Sequence, residues 1–111
     1  ARTPETLGLL GAEEIARCKP GAVLVNAARG GIVDEGALAQ ALTTGHLFAA
    51  ALDVFANEPL EPNSPLRVAP NLVLAPHIGS ASVATRRRMA ALAVENLLAG
   101  LQGEPMPHRV R

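Results

Sequence analysis

The chain has 111 residues, 49% of them apolar, and its ten basic and ten acidic residues give a formal net charge of +0. That excludes disorder, allows one domain with a core but not two lobes, and offers no electrostatic reason for a nucleic-acid or membrane-surface partner. No apolar run approaches a membrane span, the N-terminus lacks a signal-peptide layout, and the single Cys18 fits a reducing, cytoplasmic compartment.

Aromatic residues are only 2% of the chain, with no Trp and no Tyr. Few bulky side chains mean little burial per residue, so a stable core calls for a neighbouring surface. The opening Ala1-Arg2-Thr3-Pro4 carries no start signal, and the chain reads as a piece of something larger.

Residues 1–10 read as a loop, with turn chemistry at Thr3-Pro4-Glu5-Thr6. A short helix over Ala12–Arg17 is acidic at its start and basic at its end, as the macrodipole prefers. Lys19-Pro20-Gly21 stops it. Val23-Leu24-Val25-Asn26 then reads as a strand buried on both faces, running into Ala27-Ala28-Arg29-Gly30-Gly31. Asp34 is a good N-cap for the next helix, whose Ala37, Leu38, Ala41 and Leu42 fall on one face before Gly45. Leu47–Val54 is a second buried strand and ends beside Asp53. Two apolar strands joined by a helix imply parallel pairing. Four prolines make Phe55–Pro70 irregular, and Asn71–Ala75 is a third strand, leading to Pro76-His77-Ile78-Gly79-Ser80. A long helix follows over Ser82–Leu101, with an apolar stripe of Ala90, Val94, Leu97, Leu98 and Leu101 and a stop at Gly100 or Gly103. Arg86-Arg87-Arg88 near its start opposes the dipole and reads as a solvated face, and residues 104–111 form a proline-broken arm.

Each strand therefore ends in a polar feature: Arg29, then Asp53 with Glu58 beyond it, then His77. In a parallel sheet those ends share one rim, where ligands gather. An arginine there can grip a carboxylate through two parallel hydrogen bonds, and a histidine can exchange a proton with an oxygen. A carboxylate beside the histidine orients the imidazole and favours its protonated form. This is the equipment for reducing a carbonyl flanked by a carboxylate, or for the reverse oxidation. Each residue also has a plainer reading: Arg29 and His77 as exposed loop side chains, Asp53 as a turn cap, Glu58 as a solvated acid. His46 and His108 read as surface residues. No histidine pair has ligand spacing and Cys18 has no second thiol, so no metal site is expected.

At these residues the chain resembles the D-isomer-specific 2-hydroxyacid dehydrogenases over nearly its whole length. The matching segments are Thr3–Leu10, Val25–Leu38, Ala51–Leu60 and Pro76–Ala81. Within the family, Glu95–Leu101 and Gly103–Pro107 look most like the glyoxylate/hydroxypyruvate reductases, with phosphoglycerate dehydrogenases the nearest competitor. The resemblance implies the fold: the second half of a Rossmann-type parallel α/β domain over residues 1–81, then an interdomain helix and arm over 82–111. It implies the catalytic trio Arg29, Glu58 and His77. Arg29 binds the substrate carboxylate, His77 is the general acid/base, and Glu58 is its hydrogen-bonding partner. It implies cofactor contacts from Ala27, Ala28, Asp53 and Gly79, beside Arg29 and His77. The cofactor is NAD or NADP, with NADP favoured by the reductase likeness, and the substrate is a small 2-keto or 2-hydroxy acid. Family members are usually homodimers. Ala1 falls where related reductases often carry a small polar residue near the adenosine.

The family's G-x-G-x-x-G turn, which cradles the pyrophosphate, does not occur in these 111 residues. The chain alone is therefore expected to be inactive, although the parent protein reads as an enzyme. A non-catalytic relative acting as a binding or corepressor-like module is the competing reading, against which the retained trio speaks.

Overall fold

Three short strands, β1 (Ala22–Asn26), β2 (Leu47–Leu52) and β3 (Leu72–Leu74), pair in parallel in the order β1-β2-β3. The computed structural model describes residues 3–110 and divides the chain into two units, Ala1–Ile78 and Gly79–Arg111. The first holds the sheet, α1 (Ala12–Ala16) and α2 (Glu35–Thr43); the second holds α3 (Val83–Leu101) and the terminal arm. The second unit is a helix with its arm rather than a second lobe.

The order follows from local chemistry. Asp34 caps α2 by accepting from the Ala37 N–H at 2.8 Å, and the Leu38, Ala39, Ala41 and Leu42 side chains turn to the core. Leu38 is fully buried, alongside Ile15, Leu47, Leu52, Phe55 and Leu66. Truncating such a leucine to alanine costs about 2–5 kcal/mol. A helix between two strands is the connection that parallel pairing requires. The β1–β2 register shifts between Ala22 and Val23, and Leu47 and Ala50 both become buried despite their odd spacing.

Two expectations change. β1 is not buried on both faces: Val23 and Val25 are 60% and 68% exposed, and Phe48 and Val73 share that exposure. The core cluster draws on the other side of the sheet, through Ala22 and Leu24. The proline-rich stretch, predicted as irregular, contains a 3-10 turn at Pro65–Arg67 that buries Leu66 and is capped by Ser64.

In the second unit Ser82 caps α3 by accepting from the Thr85 N–H at 3.2 Å. Gly103 (φ 74°) ends it: Gly103 N–H donates to Gly100 O and Glu104 N–H to Ala99 O, the six-to-one closure that left-handed glycine permits. The apolar stripe is present but buries nothing, and Val94, Leu97, Leu98 and Leu101 are all more than half exposed. His108 is exposed, as expected, but it has partners. It closes the arm on α3 through its ring and Glu95 (2.6 Å), and through its backbone N–H and carbonyl to the Asn96 amide (2.8 and 3.2 Å).

Candidate active site

At the carboxyl end of β1 the buried Asn26 side chain organises the turn that carries Arg29. Its Oδ1 accepts from Ala28 N–H and its Nδ2 donates to Arg29 O, both at 3.1 Å. The residues between, Ala27 and Ala28, are small and exposed on the rim. Arg29 is exposed as well. Its Nη1 donates to Ala28 O at 2.7 Å, and among the described residues no carboxylate lies within ion-pair distance of the guanidinium. Its charge is left to attract an anion. The next residue, Gly30, is buried; a Cβ there would overlap the Phe55 carbonyl and come within 2.7 Å of Ala56 N. Only glycine lets the two backbones come so close.

Past the end of β2, Asp53 ties the rim together. Its N–H donates to Asn26 O at 3.0 Å, and its Oδ1 accepts from Ile78 N–H at 2.8 Å. It therefore braces the loop after β3 next to His77. His77 has φ 55°, in the left-handed region that an L-residue enters only when its surroundings hold it there. Glu58 divides its carboxylate between two donors: Oε1 accepts from Phe55 N–H at 3.0 Å, and Oε2 from His77 Nδ1 at 2.7 Å. A carboxylate only accepts, so Nδ1 carries the proton toward Glu58 and Nε2 is left for a substrate oxygen. The His77 hydrogen bond, and secondly the Phe55 N–H, hold the Glu58 carboxyl below its ordinary value of 4.5.

Arg29, Glu58 and His77 line one cleft of about 230 Å³ together with Gly30, Phe55 and Ala56. The three residues predicted from separate strand ends are thus brought together. A second hollow of about 370 Å³ lies on another side of Glu58 and His77, and Arg67 on its wall is committed to Leu60 O and Glu61 O at 2.7 and 2.8 Å. Gly79 is exposed and is the first residue of the second unit, while Ala1 lies outside the described residues. His46, expected at the surface, is half-buried, with Nε2 3.0 Å from Ile15 O. Asn26 is the site residue that sequence reasoning gave no role; its signal was a polar side chain closing an apolar strand.

The family model for the D-isomer-specific 2-hydroxyacid dehydrogenase NAD-binding domain matches residues 1–79. The chain belongs to the D-isomer-specific 2-hydroxyacid dehydrogenases. Among its relatives in that family is glyoxylate/hydroxypyruvate reductase B of Pectobacterium atrosepticum, 54% identical over 102 residues, 92% of this chain and 32% of the relative. A crystal structure of a Thermus thermophilus protein superposes with a TM-score of 0.91 at 55% identity, covering 99% of this chain and 35% of that one. The NADPH-dependent glyoxylate/hydroxypyruvate reductase of Sinorhizobium meliloti, solved with NADP and malonate, gives 0.81 at 46% identity, covering 87% and 30%. The chain spans about a third of the length of the curated relatives it matches. The α/β fold with a parallel sheet and a long C-terminal helix is that of this dehydrogenase family. No helix among the described residues is long and apolar enough to cross a membrane.

Proposed function

We propose that the protein containing this chain reduces a small 2-keto acid, glyoxylate or hydroxypyruvate, to the D-2-hydroxy acid at the expense of NAD(P)H. The observation that carries this reading is the cleft lined both by an arginine that has no acidic partner among the described residues and by a carboxylate-backed histidine. In it Arg29 binds the substrate carboxylate with its planar fork and polarises the adjacent carbonyl. His77 delivers a proton from Nε2 to the carbonyl oxygen, and Glu58 keeps the ring oriented and offsets the positive charge on the imidazolium. The glyoxylate/hydroxypyruvate reductases among its relatives support the same substrate class.

The rim suits the nicotinamide end of the cofactor. Ala27 and Ala28 present small exposed surfaces along it, and the Asp53 carboxylate, which already accepts from Ile78 N–H, would also accept from the carboxamide. Arg29, His77 and Gly79 complete the contacts in this reading. When bound, the nicotinamide supplies the hydride. NADP is favoured by the NADPH-dependent relative. Residues 1–81 are read as the second half of the nucleotide-binding domain and 82–111 as the interdomain helix and arm. The full protein is read as a cytoplasmic homodimer, with the family likeness and the lone Cys18 in support.

The test is hydroxypyruvate-dependent loss of NADPH absorbance by the full-length protein, with Arg29→Lys beside it. Turnover by the wild type, and a KM for hydroxypyruvate raised about tenfold or more in the variant, is the expected result, because an ammonium cannot reproduce the two-pronged contact. No turnover with either NADPH or NADH overturns the reading; unchanged KM in Arg29→Lys removes Arg29 as the anchor.

A further inference from the structure

Glu35, at the start of α2, reaches out of its helix. Asp34 already caps that helix, and the Glu35 carboxylate goes elsewhere: its Oε1 accepts from Ala56 N–H at 2.6 Å, across 21 positions of sequence. Ala56 lies between two residues of the site. On one side is Phe55, whose carbonyl is pressed against Gly30 and whose N–H is held by Glu58; shortly after comes Glu58 itself. Glu35 belongs to the segment that carries Arg29, and it grips the loop that carries Glu58. We infer that Glu35 is a positioning residue, which fixes the separation between the Arg29 anchor and the Glu58–His77 pair.

The requirement is chemical. In a 2-keto acid the carboxylate and the carbonyl are directly bonded, so anchor and proton donor must be held at one spacing. Arg29 and His77 sit on different loops, and both are exposed. The Gly30–Phe55 contact limits how close the loops come, since it is repulsive at short range. A bond from Glu35 to Ala56 limits how far they part. Contact and tether together define the cleft width. This inference rests on the reductase reading of the same cleft.

The test compares Glu35→Ala with Glu35→Gln in the full-length protein. Glutamine keeps an acceptor oxygen for Ala56 N–H and loses only the charge. Expected are a kcat for hydroxypyruvate lowered on the order of tenfold in Glu35→Ala with KM within about threefold, and near wild-type kcat in Glu35→Gln. A role confined to the helix dipole would damage both variants alike, and that outcome overturns the inference, as does wild-type kcat in Glu35→Ala. The second readout is the His77 Nδ1 proton resonance, lost to exchange broadening in Glu35→Ala and kept in Glu35→Gln. If the wild type does not reduce hydroxypyruvate, the reductase reading fails on that result. The resonance then decides the tether separately: retention in Glu35→Ala overturns it, selective loss upholds it.

Discussion

Glu58 Oε2 and His77 Nδ1 lie 2.7 Å apart although nineteen positions separate the residues and both side chains stand on exposed loops. Neither residue reaches this geometry alone. Glu58 is oriented by the Phe55 N–H on its other oxygen, and His77 by a left-handed backbone whose next N–H is held by Asp53.

The left-handed backbone at His77 separates function from stability in a measurable way. His77→Ala and His77→Gly both remove the imidazole, and each should lower kcat by about a hundredfold or more, a much larger loss than that in cofactor affinity. Glycine occupies φ 55° without a Cβ penalty, so His77→Gly should be more stable than His77→Ala by about 1 kcal/mol in urea unfolding. Equal stabilities would mean that the backbone relaxes when the ring is lost.

The Glu58 carboxyl should titrate below 4.5 in carbon-detected NMR, because hydrogen bonds from His77 and Phe55 favour its charged form. A depressed folded-state value stabilises above the unfolded one. The contribution is therefore whole above 4.5 and disappears as the pH falls from 4.5 through the folded value. His77→Gln should bring the midpoint back toward 4.5. A midpoint that ignores that substitution would assign the shift elsewhere.

Asn26→Ala removes both hydrogen bonds that curl the chain toward Arg29, and should cost about 1–2 kcal/mol in chemical denaturation. Its effect on catalysis should appear in KM for the keto acid, since the guanidinium loses its platform. Asn26→Asp keeps the acceptor for Ala28 N–H but sets a carboxylate against Arg29 O, so it should rescue neither quantity fully. Wild-type KM in Asn26→Ala would show that the turn holds its shape without the amide.

Strand ends were the legible part of this molecule. Apolar runs closed by Asn26, Asp53 and Ala75 located the rim, while Arg29, Glu58 and His77 beside those ends kept plainer readings as loop side chains and took their roles from the family resemblance. The Asp34 and Gly45 signals bracketed α2 closely, because capping is local chemistry that the sequence states directly. What escaped depends on contacts between distant segments. That Gly30 meets the Phe55 carbonyl, or that Glu35 reaches Ala56, is written in no local pattern. The exposed flank of β1 escaped for a related reason. Val23 and Val25 look like any buried strand, and their exposure reflects what surrounds the sheet rather than the strand itself.

The contact at Gly30 also bears on how this site tolerates genetic drift. What Phe55 and Ala56 present to Gly30 is a carbonyl and an amide nitrogen, atoms that nearly every amino acid carries. Codon changes at position 56 leave that abutment untouched, whereas any single-nucleotide change that gives residue 30 a side chain pushes the two loops apart. Tolerance is thus strongly lopsided across one interface. A saturation library should be nearly empty at 30 and permissive at 56, because the spacing between anchor and acid is stored in main chain on one side and in the lack of a side chain on the other.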